Sequence, residues 1–319
     1  MAEKITFKMV AKEYASGKRW ADKYRGAFWN RLEIHVPFMD TDIKKIKEKT
    51  VFEIMKKPEG NGIFWNEKNA TAVEVLRSVL SVMDYALAFD YLKMKDFSVG
   101  SVKTMVDKGL SPRTESENYQ ALDYKRLPAI AKRLRDMARS GDEGAAFVLF
   151  LMLTAVRYSE AAGAKRIEFY DGFWKIPRER MKGRQDRKKP HTVPIPEHAY
   201  AATIKNIPGE DMALFPGMYP NKAKRILRAV CREIICQEDL SLADLCDSVV
   251  PHGLRSSFAT WAAQEQRHIS AEAVEEALSH TLNNAVRARY TRNAEDPKGP
   301  VFLEIRKELM QAWMEFLFF

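Results

Sequence analysis

Residues 251–293, PHGLRSSFATWAAQEQRHISAEAVEEALSHTLNNAVRARYTRN, decide how this chain is read. His252-Gly253-Leu254-Arg255 stands at the start of a helical pattern. Positions i and i+3 share one helix face, so imidazole and guanidinium point the same way, next to a helix N-terminus that itself favours a phosphate. His280 closes EEALSH, and Tyr290 follows ten residues later among Arg287, Arg289 and Arg292. Singly these residues have ordinary readings: a helix-start histidine with a solvated arginine, a tyrosine packed in a core. Together they offer an anion-holding pair, an imidazole and a nucleophile.

Working outward, the upstream half of such a site is present. Arg157 lies in LTAVRYSE, directly after Glu143–Ala155, a run apolar nearly all round that predicts a central buried helix. Glu160 follows at a spacing that lets a carboxylate orient the guanidinium. Lys182 lies in RERMKGRQDRKK, a basic connection between expected strands; its ordinary reading is a solvated charge run. Phosphodiester exchange needs a nucleophile for phosphorus, cations for the non-bridging oxygens and an acid for the leaving sugar oxygen. Arginine suits the oxygens, because its planar fork donates two parallel hydrogen bonds and stays charged.

The order Arg157, Lys182, His252-x-x-Arg255, His280, Tyr290 resembles the signature of the tyrosine recombinases (phage integrase family). LTAVRYSE is similar to their first arginine box, ERMKGR…PHTVPIP to the hairpin-lysine region, PHGLRSSFATWA to the second box and ALSHTLNNAVRARYTR to the His/Tyr box. The flavour is that of the P4-type integrases of temperate phages and genomic islands. The specific likeness covers roughly residues 125–295, and the N-terminal helices resemble the core-binding domain only loosely. The resemblance implies that Tyr290 is the nucleophile of a 3′-phosphotyrosine and that Arg157, Arg255 and His280 hold the scissile phosphate. It implies that His252 assists proton transfer, Lys182 protonates the leaving 5′-oxygen and Glu160 supports. Lys188 and Lys189 lie in the same connection and could take the lysine's place. No P-loop or two-metal carboxylate cluster is found, so neither cofactor nor metal is expected. Many integrases of this type carry a further N-terminal arm-binding domain, whereas this sequence begins at the apparent core-binding domain.

The expected fold is mainly α with a small antiparallel sheet. Residues 1–108 read as an all-helical core-binding domain. Thr6 caps a segment over 6–30, Thr41-Asp42 opens a second, and 68–94 form a long buried helix. Residues 109–124, rich in Pro, Ser, Thr and Glu, read as a linker. Residues 125–319 read as the catalytic domain: KRIEFY, GFWKIP and HTVPIP as three antiparallel strands, then helices in PEHAYAATIKNIP, NKAKRILRAVCREIICQ and SLADLCDS. The tail 300–319 closes the chain as an apolar amphipathic helix.

At 319 residues, 46% hydrophobic and 30% charged, the chain is long enough for two cores. A net charge of +9 favours an anionic partner, nucleic acid ahead of a membrane surface. Between 175 and 189 eight Lys/Arg face two acids, so mainly phosphate contacts with strong salt dependence are expected. The expected DNA-binding residues are Arg178, Arg180, Arg184, Lys188, Lys189, Arg225, Arg228, Arg287 and Arg289. Cys231, Cys236 and Cys246 have no zinc spacing and read as reduced thiols of a cytoplasmic protein. No signal peptide or membrane span is read.

The expected partners are double-stranded DNA and further copies of the chain, in a tetramer with the tail docking in trans, besides accessory DNA-bending or directionality factors. The expected function is site-specific recombination for integration or excision of a mobile element. Two rivals stand beside it: a monomeric type IB topoisomerase, and a sequence-specific DNA-binding protein without catalysis.

Overall fold

The computed structural model describes residues 4–111, 121–181, 190–196, 212–280 and 302–319. It divides into two units, Met1–Ser116 and Glu117–Phe319.

In the first unit Thr6 caps α1 (Phe7–Ser16), its hydroxyl accepting from the Met9 N–H at 3.3 Å. The single helical segment read over 6–30 is two helices, because α1 stops at Gly17 and α2 (Asp22–His35) starts afresh. Glycine is a poor interior helix residue, and here it takes the capping position. Asp42 opens only a 3₁₀ turn, Ile43–Lys45, before α3 (Glu48–Lys56). A two-residue antiparallel ladder, β1 (Pro58–Glu59) with β2 (Gly62–Ile63), interrupts what reads as wholly helical sequence. The short α4 (Phe64–Glu67) leads into α5 (Asn69–Ala88), and α6 (Val99–Gly109) closes the unit. Val75, Leu76, Val79, Leu80, Val82 and Met83 of α5 are buried, whereas Val73 and Tyr85 lie at the core's edge. There the Tyr85 and Tyr91 hydroxyls both donate to Glu13 of α1, at 2.8 and 2.6 Å.

The second unit is built round α8 (Glu143–Thr154). Asp142 caps it, accepting from the Gly144 and Ala145 N–H groups at 2.9 Å each. Every residue from Phe147 to Thr154 is buried, as a helix apolar on all sides requires. α7 (Leu127–Arg139) and α10 (Pro220–Glu238) flank it. A Cβ on Gly144 would collide with Ile226 of α10, so the close approach needs glycine. Leu122 and Tyr124, in the stretch read as linker, are buried in this second core. After α8 come α9 (Tyr158–Ala162) and the three-stranded antiparallel sheet β3 (Phe169–Tyr170), β4 (Phe173–Ile176) and β5 (His191–Pro194), ordered β3-β4-β5. Then follow α11 (Ala243–Ser248), α12 (Gly253–Glu265) and α13 (Ala271–Ala277). The helix read over 196–208 falls, from Glu197 on, outside the described residues. Cys231, Cys236 and Cys246 are free thiols, and burial pushes Cys231 up to about 12.

The tail forms α14 (Leu303–Phe318), and here the structure corrects the sequence reading. Leu309, Met310, Trp313, Met314 and Leu317 are buried in the chain's own second core instead of being left for another protomer. The Trp313 indole donates to the Met152 carbonyl of α8 at 2.9 Å and packs 4.8 Å from the Trp261 ring. The apolar face is consumed in cis, and burying aromatic rings of this size dominates local stability. Phe319, at the end of the tail, stays largely exposed. No described helix is long and apolar enough to cross a membrane.

Candidate active site

Three chain segments meet at the C-terminal turn of α13. The first leaves α8. Ala155 caps that helix in the left-handed region (φ 49°), a place usually given to glycine. A non-glycine residue there costs roughly 1–2 kcal/mol. The turn sends Val156 into the core and puts Arg157 at the start of α9. Glu160, wholly buried, reaches back from α9. One oxygen accepts from the Arg157 backbone N–H and the other from its Nη1, both at 2.9 Å. The arginine head is thus fixed by its neighbour three residues on, as the spacing predicts.

The second segment is the α12 N-terminus. His252 occupies the cap position and is exposed, and its carbonyl accepts from the Arg255 N–H at 3.2 Å. Arg255 turns inward and is 4% exposed. Its Nη1 donates to the Ala155 carbonyl and its Nη2 to the Leu278 carbonyl at 2.6 Å. Nη2 also lies 3.3 Å from Nε2 of His280.

The third segment is the end of α13. The His280 N–H bonds the Glu275 carbonyl at 2.9 Å and the Ser279 N–H the Glu276 carbonyl at 3.0 Å, with Ser279 left-handed at φ 52°. This is a Schellman closure built on serine instead of glycine. It turns the last carbonyls outward, where cations meet them: Leu278 takes Arg255, and Ser279 takes Arg157 Nη2 at 3.1 Å. Helix C-termini carry partial negative charge, so the two like-charged forks tolerate each other's company.

Burial, then the neighbouring Arg157 cation, brings Arg255 down to about 10, with Glu160 and Glu275 opposing. It therefore stays charged at neutral pH. One buried guanidinium, Arg255, and one partly buried one, Arg157, stand against the buried Glu160 carboxylate, an arrangement that an incoming phosphate would balance.

Arg157, Glu160, Arg255 and His280 are thus brought together. Lys182, Arg184, Lys188, Lys189, Arg287, Arg289 and Tyr290 lie outside the described residues. Among the cations read as DNA-binding, Arg225 is exposed, and Arg178 pairs with the adjacent Glu179. Arg180 is engaged otherwise: it pairs with Glu168, which also accepts from the Trp174 indole at 2.9 Å. Arg228 donates to the Val249 carbonyl at 3.1 Å.

Sequence reading missed His191. It sits on β5 with Val193 on the same face, 6% exposed, its ring against the Ala277 carbonyl and its Nε2 without a hydrogen-bond partner. Burial first, then the Arg306, Arg255 and Arg157 cations, depress it to about 3, so it is neutral. Period-two alternation in HTVPIP places residue 191 inward with 193 and 195, and that signal could have exposed it. Sequence reading also missed Glu275, whose Oε2 lies 2.6 Å from His280 Nδ1.

Comparison with known proteins decides the family. The model described as Phage integrase family matches residues 120–296, and the one described as Phage integrase central domain matches residues 7–96. The chain belongs to the phage integrase family. It is therefore a site-specific recombinase of the integrase type, with a central and a catalytic region, and the topoisomerase and non-catalytic readings give way. The integrase of Enterobacteria phage P4 is 29% identical across 98% of this chain and 69% of that protein. Two solved structures share the fold. A lambda integrase tetramer bound to a Holliday junction matches with a TM-score of 0.57 and 14% identity, over 88% of this chain and 79% of that one. The Tn1549 transposon integrase in complex with circular intermediate DNA matches at 0.55 and 16% identity, over 90% and 95%.

Proposed function

We propose that this integrase cuts and rejoins duplex DNA through a 3′-phosphotyrosine at Tyr290. The observation that carries the reading is the convergence of Arg157 and Arg255 on the carbonyls of Ser279 and Leu278, with the His280 ring beside them. Two donor forks on one helix end can transfer some of their hydrogen bonds to the non-bridging oxygens of a phosphodiester without repacking the core.

In the proposed step the Tyr290 oxygen bonds to phosphorus and the bond from phosphorus to the 5′-oxygen breaks. The phenol proton leaves with help from His252, and Lys182, or Lys188 or Lys189 in its place, gives a proton to the departing 5′-oxygen. Arg157, Arg255 and His280 hold the phosphate, and Glu160 holds Arg157. The bond energy stays in the phosphotyrosine, so a second strand's 5′-hydroxyl reverses the step and rejoins DNA. On this reading residues 1–108 grip the core site and residues 125–319 cut, with 109–124 between them. Arg178, Arg184, Lys188, Lys189, Arg225, Arg287 and Arg289 contribute phosphate contacts, and Arg180 and Arg228 act mainly within the fold. Copies assemble as a tetramer on DNA, as the lambda enzyme does on a Holliday junction. The job is integration or excision of a mobile element in the bacterial cytoplasm, with DNA-bending or directionality factors assisting.

The test is covalent trapping. Incubation with nicked duplexes from a randomised library yields an SDS-resistant adduct in the wild type and none in Tyr290→Phe. An adduct that persists in Tyr290→Phe overturns the assignment of the nucleophile. Salt-sensitive binding with no wild-type adduct overturns the proposed chemistry for this chain by itself.

A further inference from the structure

The His280 ring is held from two sides. Nδ1 lies 2.6 Å from Glu275 Oε2, and Nε2 lies 3.3 Å from Arg255 Nη2. A guanidinium has donors only, so Nε2 is the accepting, unprotonated nitrogen. An ionised carboxylate has acceptors only, so Nδ1 carries the proton. Two contacts from two different helices select the same tautomer, and it is the one that a free histidine side chain disfavours.

The backbone explains how Glu275 reaches a residue five positions on, outside the usual helical neighbour spacings. The Schellman closure at left-handed Ser279 folds His280 back over the last turn, so the Glu275 carbonyl takes the His280 N–H and the Glu275 carboxylate takes its ring. Glu275 on α13 and Arg255 on α12 touch the ring itself. Nearby, Arg157 at the α9 start reaches the Ser279 carbonyl, and neutral His191 on β5 lies against Ala277.

We propose that Glu275 is a positioning residue for strand transfer. Its carboxylate takes the Nδ1–H of His280, fixes the ring plane and leaves Nε2 as the nitrogen presented beside Arg255. The kinetic half of this proposal rests on the phosphotyrosine reading above. Glu275 touches no reacting atom; it acts through His280. Held in this form, His280 enters the reaction as a hydrogen-bond acceptor. It donates to a phosphate oxygen from Nε2 only when that nitrogen carries a proton.

The experiment uses the full chain with Glu275→Gln and Glu275→Leu. Nitrogen-15 spectra of the imidazoles, taken above the usual histidine titration range and assigned by loss of a signal in His280→Gln, report the tautomer without any reaction. Wild type shows His280 protonated at Nδ1. Glu275→Gln keeps that form, because its amide oxygen accepts the same proton, and Glu275→Leu reverts to the Nε2-protonated form. In single-turnover trapping on a nicked duplex, Glu275→Leu slows adduct formation by about ten- to a hundredfold, by analogy with the range for partners that orient metal-bound histidines. DNA affinity and melting temperature stay at wild-type values, and Glu275→Gln restores the rate. An Nε2-protonated His280 in wild type overturns the proposal. So does a Glu275→Leu enzyme that traps at the wild-type rate, or a Glu275→Gln enzyme as slow as Glu275→Leu. If wild type itself traps nothing, the phosphotyrosine reading falls, and the spectra alone decide the tautomer.

Discussion

Arg255 and Arg306 are the two arginines buried deepest among the described residues, at 4% and 1% exposure. Burial is the leading reason that each is brought down to about 10. Both donate to backbone carbonyls, Arg255 to Ala155 and Leu278, Arg306 to Thr192 of β5. They differ in what surrounds them. Arg255 shares its space with a second cation, Arg157, and with an imidazole edge. Arg306 pins the tail helix to a strand, and its Nε has no hydrogen-bond partner. A buried guanidinium alone therefore does not mark a site. One set beside a second, partly buried guanidinium that Glu160 holds, with carbonyls that an anion could displace, does.

That contrast can be broken in four ways, the largest effect first. Arg255→Lys keeps the charge and loses the fork, and trapping is expected to slow by about 10²–10³-fold, the scale of removing one transition-state donor. If the lysine enzyme keeps pace, the fork geometry is not what matters at this position. Next, Glu160→Ala strands a partly buried Arg157. Urea unfolding should show a loss of about 3 kcal/mol, the low end for breaking a buried pair, since Arg157 is not fully enclosed. A loss below ~1 kcal/mol would make Glu160 a surface-type partner after all.

A smaller effect comes from His191 and depends on pH. Its folded value near 3 lies below the ordinary 6.5, so between those values the unfolded chain binds the extra proton. Stability is then complete above the ordinary value and falls as pH drops towards the folded one. Between about pH 7 and pH 5 this amounts to roughly 2 kcal/mol, and His191→Phe should flatten that part of the profile. An unchanged slope would show that other groups set the acid sensitivity. Smallest of all is Arg306→Met. Exchanging a buried cation for an apolar side chain of similar length should leave stability within about 1 kcal/mol of wild type, because relief of desolvation offsets the lost carbonyl bond. Trapping should be unaffected. Collapse of trapping in Arg306→Met would erase the distinction between the two arginines.

Much of this was legible in advance. The central helix α8 announces itself by apolar residues on every side, and the Thr6 cap, the long α5 and the three strands follow from local pattern. Arg157 with Glu160 is a local pair, three residues apart, so helix geometry alone predicts how it is disposed; His252 and Arg255 have the same spacing, but His252 stays exposed at the cap while Arg255 turns inward. What escaped depends on closures that local pattern does not price. Gly17 splits a continuous amphipathic reading into α1 and α2. The sequence alone points the tail towards another protomer, because its apolar surface is visible in sequence, whereas the groove formed by α7, α8, β5 and α13 that receives it is not.

The sequence by itself determined the reaction class. The order of the groups at Arg157, His252-x-x-Arg255, His280 and Tyr290 carries the resemblance to the phage integrase family, and that resemblance implies what they do. The tertiary structure decided how those groups are held. Residues 155, 255 and 278–280 lie far apart in the chain, and carbonyl–guanidinium bonds between them form only after α8, α12 and α13 pack. The neutral state of His191 and the tautomer of His280 likewise arise from burial and from partners on other elements or beyond a helix end. Protonation state is a property of surroundings, and surroundings exist only once the chain has folded.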